Sequence, residues 1–176
     1  MEPTLPVDTH YLVNRWVYYV RSPKRGDIIV FKSPVDQEKG LIKRVIGIPG
    51  DHVEIRSKQI YLNGHYLSEP YTIHKRPDER LVGDNIAPPS VPPGRVFVLG
   101  DNRDESEDSS VWKDPRDGEH IYFVNEKDIE GRPAPHFTDQ RSLEAPWQMV
   151  SGINQKGVGY VGGIGTIVRS PARIIE

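Results

Sequence analysis

Isoleucine and valine together outnumber leucine by 34 to 8 in this chain, and alanine occurs only four times. β-Branched side chains lose rotamer freedom against the preceding turn of a helix but pack well on a pleated surface, so strands are favoured and helix formers are scarce. Sixteen glycines and sixteen prolines interrupt the apolar runs, which divides the chain into short segments joined by turns. An all-helical bundle is excluded. Ile, Val, Leu and Phe make up 46 of the 176 residues, enough apolar surface to offset the entropy of folding, so the chain is not disordered. The length suits one domain, or a core carrying a small insertion.

The formal net charge is -2, and no basic stripe is present to track a phosphate backbone, so nucleic acid is not expected as a partner. The absence of cysteine excludes disulfides, thiolate metal sites and a cysteine nucleophile, while leaving the compartment open. The six histidines show neither HxxxH nor HxH spacing, so no metal site and no cofactor are expected. The longest uncharged stretch near the C-terminus, residues 157–168, falls short of the roughly 20 residues a spanning helix needs, and no signal peptide is read at the start.

Strands are expected at Asp27–Phe31, Leu41–Ile48, Val53–Arg56, Arg95–Leu99, Ile121–Val124 and Gly163–Arg169. Ile48-Pro49-Gly50-Asp51 reads as a type II turn, and Asn63-Gly64 splits Gln59–Leu67 into a hairpin. The polar stretch Thr72–Ser90 reads as a loop. A short helix is placed at Ser142–Met149 within an otherwise patternless region, 132–157. No internal repeat is visible. The aromatic residues Trp16, Tyr18, Tyr19, Trp112 and Trp147 mark either a surface resting on lipid headgroups or parts of a β-core.

The segment Leu41–Ile48 carries the first unusual residue. Alternation puts Lys43 on one face with Leu41 and Val45, and Arg44 on the other with Ile42 and Ile46, so one of the two cations must lie against apolar surface. Burial disfavours the ammonium form and lowers a lysine from about 10.4 toward the range of a general base at neutral pH. On this segment alone, an edge-strand lysine reaching out to water remains the alternative.

Four motifs occur in order: Met1-Glu2-Pro3-Thr4-Leu5; Arg25-Gly26-Asp27 leading into an apolar strand; Lys43-Arg44-Val45-Ile46-Gly47-Ile48-Pro49-Gly50-Asp51; and Gly100-Asp101-Asn102-Arg103-Asp104-Glu105-Ser106-Glu107-Asp108-Ser109. In these the chain resembles bacterial type I signal peptidase, whose patterns are S-M-x-P-T-L, R-G-D, K-R-V-I-G-L-P-G-D and G-D-N-R-D-N-S-x-D-S-R. The resemblance spans residues 1 to about 131. It implies a serine/lysine endopeptidase of the inner membrane, with its catalytic domain on the extracytoplasmic side. Such an enzyme removes signal peptides from exported preproteins by cutting after small residues, so its partners would be preprotein signal peptides and the membrane lipid surface. The same resemblance implies Lys43 as general base, Ser106 as the residue that orients it and Asp108 as a support of the site. Met1, Leu5, Leu41 and Ile42 would line pockets for the substrate, which would bind as an added strand.

The implied fold is mainly β, an antiparallel β-sheet catalytic core of the signal-peptidase type from 1–51 and 95–176, with a small β-hairpin-bearing insertion at 52–94. In the family the nucleophilic serine directly precedes the Met of the first pattern. The expectation is therefore that this chain lacks its nucleophile, an upstream oxyanion donor and a membrane anchor, and is inactive as it stands. A late start, a truncation and a true pseudoenzyme are the competing explanations. A catalytically inactive signal-peptide or preprotein-binding module is thus the alternative function. A related self-cleaving repressor is opposed by the Gly100–Asp104 loop. Ser110 replaces the family's usual Arg, which puts the rigidity of the acidic loop in question, and Glu105 replaces the usual Asn.

Overall fold

The computed structural model describes residues 1–6, 10–134 and 167–169. Its strands are β1 (His10–Asn14), β2 (Ile28–Lys32), β3 (Gly40–Gly47), β4 (Val53–Arg56), β5 (Gln59–Leu62), β6 (His65–Tyr66), β7 (Arg95–Leu99), β8 (Val124–Asn125), β9 (Ile129–Pro133) and β10 (Ile167–Arg169), with one helical turn, α1 (Val17–Val20). Seven of them form a sheet in the order β10-β1-β9-β2-β3-β7-β8, and β4-β5-β6 form a second sheet. Every strand pairing is antiparallel. The fold is mainly β, as the β-branched composition requires.

Three apolar clusters hold the sheets. Ile29, Phe31, Val45, Val96, Val98, Trp112 and Val124 pack along β2, β3, β7 and β8. Ile46, Phe97 and Leu99 join Val53, Ile55, Ile60 and Leu62 of the small sheet, so that sheet is anchored to the large one through β3 and β7. Tyr11, Val13, Val30 and Ile42 make the third cluster. Pro49-Gly50 forms its expected turn, with Gly50 at φ 90° and the Asp51 amide bonded to the Ile48 carbonyl at 3.0 Å. Asn63 and Gly64 both adopt positive φ, 52° and 81°, in the hairpin joining β5 to β6.

Several expectations change. The strand placed at Ile121–Val124 begins only at Val124. Residues 113–120 fold back on themselves through a Lys113–His120 bridge, and the Ile121 amide bonds to the Trp112 carbonyl at 3.0 Å. Trp112 belongs to the core: it is 5% exposed and meets Phe31 edge-on at 6.0 Å, which removes it from any lipid-facing set. Tyr18 is partly buried, its hydroxyl bonded to Asp27, whereas Trp16, Tyr19 and Val20 are exposed. A two-residue turn at Ser57-Lys58, without glycine, joins β4 to β5 and was not foreseen. The helix at Ser142–Met149, Trp147 and the start of the last strand lie outside the described residues.

Candidate active site

Lys43 stands in the middle of β3, which is flanked by β2 and β7, so the edge-strand reading of this lysine does not hold. β7 ends at Leu99, opposite Arg44, and the chain then turns through the loop 100–110. That loop folds back so that Lys43 Nζ donates a 2.8 Å hydrogen bond to Ser106 Oγ. Burial lowers the pKa of the amine below the ordinary lysine value, against the opposing pull of Asp108, Glu107 and Asp101. The approach depends on Gly100. A methyl there would lie 2.7 Å from Ser106 Cβ, closer still to its hydroxyl, and 3.6 Å from Lys43 Nζ.

Asp108 is buried and braces this loop. It accepts from the Gly100 amide at 2.9 Å, the Ser110 amide at 3.0 Å and the Ser110 hydroxyl at 2.7 Å. Ser110 therefore satisfies Asp108 at the position where the resemblance leads one to expect arginine. Ser109 adds a bond from the Val98 amide to its own hydroxyl at 3.0 Å. On the other side of Lys43, the fully buried Asp101 takes two bonds from the Arg44 guanidinium, 2.8 and 2.6 Å long, and one from the Thr4 hydroxyl. The Arg44 guanidinium lies 3.9 Å over the Tyr71 ring, and Arg103 pairs with Glu69 at 2.6 Å.

The opening residues are thus held at the site. Through Thr4 they reach the Arg44–Asp101 pair, and Met1 and Leu5 pack against the cluster containing Ile42. Burial, with the charge of Lys43, lowers the pKa of the Met1 α-amino group. Lys43, Ser106, Asp108, Met1, Leu5 and Ile42 are brought into one region. Leu41, on the same strand face as Lys43, packs beside the cluster of Ile29, Phe31 and Val45 and remains partly exposed.

Sequence reasoning passed over the contribution of the small sheet and the loop after it. Glu69, Tyr71, Lys58, His74 and Arg76 all touch residues 44 or 103–104. The one available signal was a two-residue connection, Ser57-Lys58, between two alternating strands. Among the described residues, no group of three or more His, Asp or Glu side chains is arranged to hold a metal, and no helix is long and apolar enough to cross a membrane.

Residues 1–137 match the family described as signal peptidase, peptidase S26. Signal peptidase I P of Bacillus subtilis subsp. natto is 39% identical over 113 residues, covering 62% of this chain and 60% of that protein. Signal peptidase I of Pseudomonas aeruginosa is 33% identical over 151 residues, covering 66% of this chain and 53% of that protein. A signal peptidase I crystal structure from Enterococcus faecalis V583 is 34% identical, with a TM-score of 0.46, covering 64% of this chain and 97% of that one. The chain spans about 60% of the length of the first of these relatives.

Proposed function

The chain belongs to the signal peptidase family, peptidase S26, and from that premise we propose that it is the core of a serine endopeptidase that cleaves signal peptides from exported preproteins. The nucleophile in this reading is a serine directly before Met1. The supporting observation for that position is the Met1 nitrogen, whose electrostatic environment includes Lys43.

The chemistry follows from the state of Lys43. A serine hydroxyl is a poor nucleophile at its own pKa, so a neutral amine must take its proton as the oxygen attacks the scissile carbonyl. The protonated lysine then gives that proton to the leaving amine as the C–N bond breaks, leaving an acyl-enzyme. The neutral lysine next takes a proton from water, whose oxygen attacks the ester, and the serine recovers its hydrogen as it leaves. Ser106 directs the amine through its 2.8 Å bond, and Asp108 holds the loop that carries Ser106. The negative charge on the tetrahedral intermediate needs donors beside the nucleophile, each worth about 3 kcal/mol. Met1, Leu5, Leu41 and Ile42 form the apolar floor for small substrate side chains. Exposed Trp16, Tyr19 and Val20 suit a surface resting on lipid headgroups, consistent with action at the extracytoplasmic face of the inner membrane.

The observation that carries this reading is the Lys43–Ser106 contact, together with the lowered proton affinity of Lys43. The test is cleavage of a preprotein by the chain bearing a serine before Met1. Lys43→Ala should reduce the rate by about 10²–10⁴-fold, the typical contribution of a general base. Equal cleavage by the alanine variant would refute the assignment. An inert serine-bearing chain that still binds signal peptide would favour the binding-module reading.

A further inference from the structure

The small sheet contains two hairpins with two-residue turns, and they differ. Asn63-Gly64 uses the pair such turns prefer. Ser57-Lys58 does not, yet both residues take positive φ, 46° and 68°, a region costly for a lysine. The strained backbone aims a long side chain that is only 13% exposed. Lys58 Nζ lies 2.7 Å from Asp104 Oδ1, 2.7 Å from the Arg76 carbonyl and 3.8 Å from Asp84 Oδ2.

Asp104 is the central residue of the 3-10 turn Arg103–Glu105, and Ser106 is the next residue after it. The Asp104 carboxylate is 1% exposed. Its other neighbours are the Arg76 amide, bonded to Oδ2 at 2.7 Å, and His74 Nδ1, 3.5 Å from Oδ1. The Arg76 guanidinium caps the Asp104 carbonyl. Burial alone would raise the Asp104 pKa, but the Lys58 and Arg76 bonds outweigh it and hold the carboxyl below its usual range.

We propose that Lys58 is a positioning residue for the Lys43–Ser106 pair: its ammonium pins Asp104, and through Asp104 the 3-10 turn that delivers the Ser106 hydroxyl to Lys43. The inference rests on the function proposed above and extends it to the inserted sheet. A turn residue in an unfavourable conformation is expected where its side chain has a task that the preferred glycine cannot perform.

Lys58→Gly removes the clamp while suiting the turn, and the Lys43 titration together with rescue by arginine separates positioning from simple stabilisation. In the serine-bearing chain, Lys58→Gly should lower kcat by about ten-fold or more with little change in KM, since small misplacements of a reacting group are costly. The acid limb of the pH profile should move to higher pH as Lys43 becomes better hydrated, the urea midpoint should fall because Asp104 is left buried without its cation, and Lys58→Arg should recover most of the rate and of the midpoint. Nζ titration of Lys43 by NMR in the 176-residue chain should show the same upward shift. Wild-type kcat and an unmoved Lys43 titration in Lys58→Gly would overturn the proposal. So would a rate loss that arginine does not recover, with the Lys43 titration unmoved. Lys43→Ala, assayed alongside, isolates the underlying reading: if it remains active, the dyad assignment fails. If the serine-bearing chain is inert, the NMR titration alone decides the role of Lys58.

Discussion

Replacing Gly100 by alanine adds one methyl at the point where the loop passes over Lys43. That methyl would sit 2.7 Å from Ser106 Cβ, whereas ordinary contact begins at 3.4 Å, so Ser106 must retreat by about 0.7 Å, and its hydroxyl by more. The Gly100 amide bond to Asp108 and the Arg103 bond to the Gly100 carbonyl hold the backbone in place, so the displacement falls on Ser106 and breaks its 2.8 Å bond from Lys43. Overpacking of this kind costs about 2 kcal/mol, or a Tm lower by about 5 °C for a domain of this size. The loss of alignment should reduce kcat by about 10²-fold. Both effects can be measured, the first by thermal denaturation and the second by preprotein cleavage in the serine-bearing chain. In a Ser106→Gly background the clash partner is gone, so alanine at 100 should then cost little stability. A Gly100→Ala variant that keeps wild-type Tm and rate, or an unchanged cost in the Ser106→Gly background, would show that Gly100, Ser106 and Lys43 do not meet as described.

Lys43→Met should reduce cleavage by about 10²–10⁴-fold while raising stability in denaturant at neutral pH. Burial holds the folded pKa of Lys43 below its unfolded value, so the gain is full below the lowered pKa and vanishes above about pH 10.4; equal stability at pH 7 would contradict a desolvated amine. Asp101→Ala leaves the Arg44 guanidinium, 11% exposed, without its buried partner. Urea titration should show a loss of about 3–5 kcal/mol, and a loss under about 1 kcal/mol, typical of an exposed pair, would contradict the burial. For Asp27, Asp51 and Asp104, burial is outweighed by hydrogen bonds from Arg21, the Ile48 amide and Lys58 respectively, and all three are held below the usual carboxylate pKa. Their contribution to stability is present above about pH 4 and is lost as the pH falls through the lower folded values, which an acid series of urea midpoints would reveal.

The resemblance pointed to Lys43, Ser106 and Asp108 because their motifs are contiguous stretches with fixed spacing. It also singled out Ser110 as a departure. Ser110 meets Asp108 within two positions, an Asx-type contact of its amide and hydroxyl with the carboxylate; what only the backbone path decides is the third bond, from the Gly100 amide eight positions away. By its chemistry Trp112 suits a lipid surface as well as a core, and only its packing against Phe31 assigns it to the core. Leu41 and Ile42 are adjacent in the chain yet enter different clusters, as strand alternation requires.

Local chemistry alone determined β2 to β7, the Pro49-Gly50 and Asn63-Gly64 turns and the mainly β class, because β-branched runs and φ-specific residues act within a few positions, whereas β1 and β9 emerged only from sheet pairing. The contacts joining Lys58 to Asp104, Glu69 to Arg103 and Arg44 to Asp101 span 46, 34 and 57 positions. Such pairs leave no periodicity in a sequence. They exist because sheet packing brings distant carboxylates and cations together where little water remains, and there each charge must find its partner.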